Sequence, residues 1–234
     1  MRSLVGTLIL LFIWIGASPA IAVPFSPKAA DRKGICHEAV AAAETKYRLP
    51  KRLLTALSLT ESGRWQAESK EMIAWPWTVY AEGKGRYLPS KSAAIDEVKM
   101  LQAKGVTNID VGCMQINLHY HPEAFDDLGA ALDPGKNTQY AAELLKKLRD
   151  ESRSWNIAIA HYHSRTKEFN VPYRQKVLKI WQKERRKDTD ARMATAREEY
   201  RKRREKLQER IEEASKRRFT QAAAKKQLAN ADPS

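Results

Sequence analysis

The sequence predicts a mainly α-helical domain with one small irregular or β lobe, followed by a charged extension that is either helical or disordered. Three observations support this fold class. Helix-forming segments separated by proline, serine and glycine run from about Ile35 to Trp181. One stretch rich in aromatic residues and glycine, Trp75 to Leu88, interrupts them and suggests a hairpin or loop. After Trp181 the apolar content collapses, although residues 183–218 remain rich in helix formers.

The N-terminus has the pattern of a cleaved secretory signal. Arg2 supplies a positive charge, residues 4–15 are almost entirely apolar, and Ala20 and Ala22 place small residues where a signal peptidase cuts. The alternative is a membrane anchor, but the apolar run is shorter than the ~20 residues that a spanning helix needs. We therefore expect residues 1–22 to be a signal peptide, residues 23–33 to be a linker, and the mature protein to be periplasmic.

Several helices can be placed between residues 34 and 182, which we assign to one domain. Pro50 suits the first turn of a helix whose apolar face leads to Glu61 and which Gly63 ends. Ser90 is expected to N-cap a helix that Gly105 stops. The remaining predicted helices cover residues 35–48, 137–150, 155–162 and, from Val171 or Pro172, a last segment to Trp181.

Export also affects how the cysteines are interpreted. Cys36 and Cys113 are an even pair in an oxidising compartment, which favours a disulfide, although two separate buried thiols are the alternative. The histidines form two pairs with a spacing of two residues, which matches no helical metal-binding face. These are His119, His121, His161 and His163. We expect no metal and no cofactor.

The positive charge of the chain is concentrated in its C-terminal extension. The formal net charge is +14, and residues 183–234 contain 17 Lys/Arg against 10 Asp/Glu. Such a balance favours polyanionic partners, but export separates the segment from most nucleic acid. The segment has many i,i+4 charge pairs and no sustained apolar stripe. A solvated charged tail on a monomeric protein is therefore favoured over a nucleic-acid-binding arm.

Glu61 is the main candidate for chemistry. It lies in the last turn of an apolar helix, where both desolvation and the helix dipole disfavour a negative charge. A buried glutamate satisfied by a local partner would explain this position equally well. The functional explanation is general acid catalysis, since cleavage of a glycosidic bond needs a carboxylic acid that is still protonated near neutral pH. Free glutamate titrates near 4.3, so such an acid requires an apolar environment.

Four segments in the correct order resemble the motifs of the transglycosylase SLT family. The helix that ends in Glu61-Ser62-Gly63 is similar to the one that carries the family's catalytic glutamate. Residues 112–117, Gly-Cys-Met-Gln-Ile-Asn, resemble the motif Gly-Leu-Met-Gln-Ile. Residues 137–145 resemble Asn-Ile-x-x-Gly-x-x-Tyr-Leu, and residues 161–164 match Ala-Tyr-Asn-x-Gly only at Tyr162.

The resemblance implies a lysozyme-like fold and a lytic transglycosylase that cleaves the β-1,4 bond between N-acetylmuramic acid and N-acetylglucosamine in peptidoglycan. Glu61 would act as acid and then as base, and the product would carry a 1,6-anhydro end. Tyr162 would hydrogen-bond near Glu61 and orient it. The residues expected to support catalysis or bind sugar are Ser62, Met114, Gln115, Asn117, Tyr162, Trp77 and Tyr80. Trp75, Trp77 and Tyr80 could equally be core residues.

Two departures from the family motifs matter. Asp110 stands where a serine is common, and His163 replaces the asparagine of the last motif. With Trp-Pro-Trp-Thr at residues 75–78, the pattern looks most like the specialised branch that serves flagella and secretion systems, whose proteins would then be partners through the C-terminal extension.

Two alternative functions remain open at the level of sequence. A hydrolytic muramidase on the same fold would need a second carboxylate, such as Asp110 or Glu82, although an aspartate in a turn has a local structural explanation. A catalytically inactive peptidoglycan-binding assembly factor would retain the fold without the chemistry, and the presence of Glu61 and Tyr162 argues against it.

Overall fold

The computed structural model describes residues 29–231. The signal peptide expected at residues 1–22 lies outside the described residues. Within them the chain forms seven helices: α1 (Ala29–Lys46), α2 (Leu53–Glu61), α3 (Lys91–Ala103), α4 (Leu128–Ala131), α5 (Pro134–Ser152), α6 (Trp155–His163) and α7 (Lys167–Ala231). This confirms the mainly helical fold class. Helix α1 begins at Ala29, inside the segment that we expected to be a linker. No helix among residues 29–231 combines the length and the apolar character needed to cross a membrane.

The non-helical lobe is antiparallel. A hairpin joins β1 (Gly63–Gln66) and β2 (Glu71–Ala74), and a second sheet has the order β4-β3-β5-β6. Its strands are β3 (Thr78–Ala81), β4 (Lys84–Tyr87), β5 (Asp110–Val111) and β6 (Ile116–Asn117). The hairpin predicted around Gly83 is confirmed as β3–β4. The first hairpin was not predicted, because its strands are only four residues long and lack a clear alternation of apolar residues.

Helix α2 begins three residues later than Pro50, for a reason that lies in another helix. The residue before it, Arg52, has a left-handed backbone (φ 66°) and no side-chain cap of its own. The carboxylate of Glu44 on α1 instead accepts hydrogen bonds from the backbone N–H groups of Arg52 (3.1 Å) and Thr55 (3.0 Å). A carboxylate here satisfies free N–H groups and complements the helix dipole. Packing of α1 therefore sets the start of the helix that carries Glu61.

The end of α2 also differs slightly from the prediction. The helix ends at Glu61, Ser62 follows it, and Gly63 already belongs to β1. A Cβ atom at Gly63 would lie 2.2 Å from the backbone oxygen of Leu59. Only glycine therefore lets the chain turn from the helix into the strand directly after Glu61.

The cap predicted at Ser90 and the stop predicted at Gly105 are found, and two further helices have caps of the same kind. The Ser90 side chain accepts a hydrogen bond from the Ala93 N–H at the start of α3, and Gly105 follows that helix with φ 84°. Asp133 and Ser154 cap α5 and α6 in the same way. Short polar side chains at these positions satisfy the free N–H groups of the first turn.

The core has two parts, and Phe125 packs against both of them. The larger part lies between the helices and contains the fully buried leucines 53, 54 and 57 of α2. The smaller part lies under the sheet and contains Trp75, Trp77 and Val79. Burial of each large apolar side chain contributes roughly 1.5–3 kcal/mol, so α2 is held firmly on its apolar side.

A disulfide joins Cys36 on α1 to Cys113, in agreement with the prediction. It ties α1 to the segment between β5 and β6, which contains the motif Gly-Cys-Met-Gln-Ile. The Cys113 carbonyl also accepts hydrogen bonds from Ser58 (3.1 Å) and Ser62 (2.7 Å) of the α2 region. Cys113 thus fixes the motif segment to α1 through the disulfide and to the α2 region through hydrogen bonds.

The last helix differs most from the sequence-based prediction. Helix α7 begins at Lys167 rather than at Val171 or Pro172, and it continues without a break through the charged extension. The helical alternative for the extension is therefore confirmed. Pro172 lies inside the helix, where it lacks the N–H that would bond to the backbone oxygen of Glu168. The helix packs on α2 and α6 and contacts the domain as far as Asp188, which forms salt bridges with Lys51 (2.7 Å) and Arg52 (3.0 Å).

Candidate active site

Glu61 is a partly buried carboxyl group with a raised pKa. Desolvation is the largest cause and raises the pKa of Glu61 from its ordinary value of 4.5 to about 7. The nearby charge of Asp110 raises the pKa further, whereas a hydrogen bond from Tyr173 and the charge of Lys176 lower it. Burial disfavours the charged form of any carboxyl group. Glu61 can therefore hold a proton near neutral pH and release it there.

Tyr173 is the residue that contacts Glu61 directly. Its hydroxyl donates a short hydrogen bond to Oε1 of Glu61. Tyr173 is itself a buried residue of α7, 9% exposed, so its ring is held by the packing of α7 against α2. A donor fixed in this way stabilises the carboxylate and selects one orientation of the side chain.

Two further side chains of the same region support this pair. The His163 imidazole stacks on the Tyr173 ring, with 4.4 Å between ring centroids and 7° between planes. Burial, helped by the charge of Lys176, lowers the pKa of His163, so the stacked ring is neutral at physiological pH. Lys176 lies one turn after Tyr173 and donates to the backbone oxygen of Thr60 (3.4 Å). These contacts hold the start of α7 against the end of α2.

Tyr162 does not make the hydrogen bond that we expected. Its hydroxyl donates to the backbone oxygen of Met114 (2.9 Å), not to Glu61. The two groups are still close enough for the charge of Glu61 to raise the pKa of Tyr162, after the larger effect of burial. Tyr173 rather than Tyr162 makes the hydrogen bond to Glu61, because α7 starts early enough to pack along α2. Tyr162 instead anchors the motif segment.

The Gly-Cys-Met-Gln-Ile segment is a tight turn held by Asn137. The Asn137 side chain accepts from the Met114 N–H (2.9 Å) and donates to the backbone oxygens of Val111 and Ala131, both at 3.0 Å. Gly112 has φ 84°, and a Cβ there would lie 2.5 Å from Nδ2 of Asn137. Glycine and asparagine at these positions are therefore explained by the turn itself.

Met114 is buried in the core, and Gln115 is half-buried. Met114 is fully buried, and it belongs to the core cluster that contains the leucines of α2. The Gln115 side chain donates to the backbone oxygens of Thr78 (3.1 Å) and Gly112 (3.0 Å). Both residues connect the motif segment to its surroundings, and their expected contact with sugar stays a prediction.

Ser62 is also a structural residue. It is fully buried, and its hydroxyl lies 2.7 Å from the backbone oxygen of Cys113 and 3.2 Å from that of Ser58. The backbone oxygen of Ser62 accepts from the Trp75 N–H (3.0 Å). Ser62 thus connects α2, β2 and the disulfide-bonded segment, and it fixes the position of the neighbouring Glu61.

Asn117 and Asp110 form a polar pair at the edge of the sheet. Nδ2 of Asn117 donates to Oδ1 of Asp110 (2.7 Å) and to Oδ1 of Asn108 (2.6 Å), while its own Oδ1 accepts from two backbone N–H groups. Burial raises the pKa of Asp110, and the hydrogen bond from Asn117 opposes that shift. Asp110 is therefore a second carboxyl group in the electrostatic environment of Glu61.

The aromatic residues divide into core and surface. Trp75 and Trp77 are 2% and 9% exposed and pack edge to face with centroids 6.4 Å apart, which matches the core position that the sequence left open for them. Tyr80 is 43% exposed and can make such a contact. Tyr87, also 43% exposed, was not singled out from the sequence; it donates to the backbone oxygen of Gly63 (2.9 Å), two residues after Glu61.

These contacts define a site in which Glu61 accepts a hydrogen bond from Tyr173 and Asp110 is a second carboxyl group with a raised pKa. Among residues 29–231 no group of three or more histidine, cysteine, aspartate or glutamate side chains is placed to hold a metal ion. The chemistry available at Glu61 is proton donation and proton acceptance near neutral pH. Tyr173 and Lys176 were not found from the sequence, because no motif spacing relates α7 to the end of α2.

The fold is that of the lysozyme-like enzymes that act on bacterial cell walls. The family model for the transglycosylase SLT domain matches residues 38–176, and the chain belongs to this family. The match covers α1 to the first part of α7 and includes Glu61, the motif segment and Tyr173. No curated protein and no solved structure matches the chain. Membership of the family implies lytic transglycosylase activity on peptidoglycan in general terms.

Proposed function

We propose that the protein cleaves the β-1,4 bond between N-acetylmuramic acid and N-acetylglucosamine without hydrolysis, with Glu61 as the only acid and base. The observation that carries this proposal is the raised pKa of Glu61, about 7, at a carboxyl group that accepts a hydrogen bond from Tyr173. A group with this pKa can donate a proton in one step and accept one in the next at neutral pH.

The reaction has two steps. In the first, protonated Glu61 gives its proton to the glycosidic oxygen, the bond to C1 of N-acetylmuramic acid breaks, and the carbonyl oxygen of the substrate's N-acetyl group supports the positive charge at C1. Glu61 is now a carboxylate, which Tyr173 stabilises by its hydrogen bond. In the second, that carboxylate removes the proton from the C6 hydroxyl, and O6 bonds to C1. The product is a 1,6-anhydro end, no water is consumed, and Glu61 is protonated again.

The experiment replaces Glu61 by glutamine. We expect Glu61→Gln to lower the rate of turbidity clearing of purified cell walls by at least about a hundredfold, since a positioned acid contributes 10²–10⁴ in rate. Glu68→Gln, at an exposed position of the lobe, is the matched control and should clear walls at the normal rate. Clearing by Glu61→Gln at the normal rate would exclude the proposed role, and so would equal loss in both variants.

A hydrolytic muramidase is the second candidate, and Asp110 is the observation in its favour. A hydrolase of this type uses two carboxyl groups, and Asp110 is close enough for its charge to raise the pKa of Glu61. Mass spectrometry of the released muropeptides separates the candidates, because a transglycosylase gives anhydro ends and a hydrolase gives reducing ends. Asp110→Asn should retain anhydro products if Glu61 acts alone. Loss of all cutting in that variant would favour the hydrolase.

The third candidate is an inactive wall-binding factor, for which wild type and Glu61→Gln would show the same low clearing of cell walls.

The disulfide and a peptidoglycan substrate support a periplasmic location. We also infer local wall remodelling during assembly of a flagellum or secretion system. That inference is supported by Trp-Pro-Trp-Thr at residues 75–78 and Asp-Val-Gly-Cys-Met-Gln-Ile-Asn at residues 110–117, and clearing assays in strains lacking each machine would test it.

A further inference from the structure

The outer part of α7 carries large apolar side chains that are exposed on the surface of the helix. Met193, Tyr200, Leu207 and Ile211 are between 50% and 65% exposed, and Phe219, which is 79% exposed, lies on a different face of the helix. Residues 193–225 are all helical, and at a rise of 1.5 Å per residue they extend ~50 Å. Isolated exposed apolar residues are ordinary, but a regular spacing along one helix is the pattern of a surface that another element covers.

The spacing of these residues is that of a heptad repeat. Met193, Tyr200 and Leu207 are seven residues apart, and Ile211 follows four residues after Leu207. In the heptad abcdefg the first three occupy d positions and Ile211 occupies an a position. We call the residues at the a and d positions from 193 to 225 the outer seam.

Arginine occupies most of the a positions and the g positions beside them. The a positions other than Ile211 hold Arg197, Arg204, Arg218 and Lys225. The g positions that flank the seam include Arg203, Arg210 and Arg217. Each long side chain can lay its aliphatic part along the seam and present its charge at the edge. The d positions therefore form a mostly apolar line, with basic residues at the a positions on one side of it and at the g positions on the other.

No acidic residue lies on this face. All six glutamates between Met193 and Lys225 occupy the b, c and f positions, which point away from the seam: 198, 199, 205, 209, 212 and 213. Within the part of α7 that the structure describes, the salt bridges beyond Met193 join Arg201 and Lys202 to Glu198 and Glu205. None of them involves Arg197, Arg204 or Arg218. The glutamates therefore leave the charges of the outer seam uncompensated.

We propose that the outer seam binds an acidic helix of another protein as a two-stranded coiled coil. Glutamates at the edge positions of such a helix would pair with the arginines, and its apolar residues would cover Tyr200, Leu207 and Ile211. A second copy of this chain does not fit, because arginine would face arginine along the whole length. An anionic membrane surface fits poorly, since an interfacial helix needs a broad apolar face and this one is a single residue wide at most levels.

The test uses the full mature chain and a designed probe. The probe is a 33-residue peptide with leucine at d and glutamate at a, e and g, labelled for fluorescence anisotropy. A second peptide with lysine in place of every glutamate is its control. We expect saturable binding of the acidic peptide and none of the basic peptide. Failure of the acidic peptide to bind would overturn the proposal.

Matched variants distinguish binding at the outer seam from attraction of the peptide by the overall positive charge of the chain. Arg204→Glu with Arg218→Glu changes the charge of the seam, and Lys202→Glu with Lys216→Glu makes the same change in charge at f positions. We expect the first pair to weaken peptide binding at least about tenfold and the second pair to have little effect. Leu207→Ala with Ile211→Ala should also weaken binding about tenfold. Equal effects of the two charge pairs would overturn the proposal.

Two measurements test the alternatives that the outer seam binds a second copy of the chain or a lipid surface. Sedimentation of the chain alone should show a monomer, and a dimer that Arg204→Glu and Arg218→Glu abolish would assign the seam to a second copy instead. Binding to vesicles of phosphatidylglycerol and phosphatidylethanolamine that competes with the peptide would assign it to a lipid surface. Because Glu61→Gln should bind the peptide normally while it loses cutting, failure of this inference and failure of the proposed function are distinguishable.

Discussion

Tyr173 donates its hydroxyl hydrogen bond to Oε1 of Glu61 although 112 residues separate the two in the sequence. The bond stabilises the charged form of Glu61, whereas burial stabilises the neutral form, and the two effects leave the pKa of Glu61 at about 7. A carboxyl group that was buried without this donor would hold its proton too tightly to act as a base afterwards. The pair therefore supports both halves of a reaction in which one group acts twice.

Removal of the Tyr173 hydroxyl should move the pH dependence of cutting. In Tyr173→Phe the carboxylate loses its donor, so the pKa of Glu61 rises and the alkaline limb of the rate profile shifts to higher pH. We expect the rate at neutral pH to fall about tenfold or more, since a hydrogen bond to a charged group is worth roughly 1.5–3 kcal/mol. Rates measured from pH 5 to pH 9 test this. Tyr162→Phe, which loses only the bond to Met114, is the control; a Tyr173 variant whose limb stays in place would show a purely structural role.

Glu61 should also make stability depend on pH. Its pKa is about 7 in the folded protein and near 4.5 when unfolded, so the folded state binds the extra proton between these values. Stability contributed by the neutral form is complete below pH 4.5 and is lost as the pH rises through 7. Glu61→Gln cannot ionise and should gain stability relative to wild type by up to roughly 3 kcal/mol at pH 8. Denaturant unfolding of both proteins at pH 4 and pH 8 measures the difference, and a difference that does not change with pH would contradict the prediction.

Reduction of the disulfide should destabilise the domain. Cys36 and Cys113 are 77 residues apart, and the entropy of closing such a loop corresponds to about 4 kcal/mol. Guanidinium unfolding with and without reductant should show a loss of this size. The double variant Cys36→Ala with Cys113→Ala should have the unfolding free energy of the reduced protein, and reductant should not change that value. If reductant leaves the unfolding free energy of wild type unchanged, the link does not stabilise the fold.

Two truncations should have different effects on the catalytic domain. Removal of residues 193–234 leaves every contact of α7 with the domain, so cutting and melting temperature should be unchanged. Removal of residues 183–234 also deletes Asp188, which bonds to Lys51 and Arg52 at the start of α2. We expect that variant to melt at a lower temperature and to retain cutting. Thermal melting followed by a clearing assay compares the two, and identical melting would show that Asp188 contributes nothing.

Local signals predicted most of the helices, the resemblance to the SLT motifs singled out Glu61 as the expected acid, and long-range contacts account for what was missed. Caps such as Ser90 and the apolar face of α2 are visible in a few neighbouring residues, so these elements could be located from the sequence. The partner of Glu61 could not, because Tyr173 reaches it only after α7 has packed on α2. The same limit applies to Ser62 and Gln115, which have polar side chains typical of a binding site but direct them at backbone oxygens inside the fold.

The burial of Trp77 shows a related limit. A tryptophan beside a glycine-rich hairpin is equally consistent with a surface platform and with a core position, and only the packing of α3 beneath the sheet decides between them. Tyr80, three residues later, alternates to the other face of β3 and remains accessible. Sequence alone therefore located the lobe but could not assign its faces.

Because α7 is unbroken, it sets a fixed distance between the site around Glu61 and the outer seam. Tyr173 and Ile211 lie on one helix, and 38 residues at 1.5 Å each separate them by ~57 Å. If the far end is held by a partner, the cleavage point is confined to a shell of that radius around the attachment. The length of this rod, more than the strength of either contact, would then decide where a gap opens in the wall.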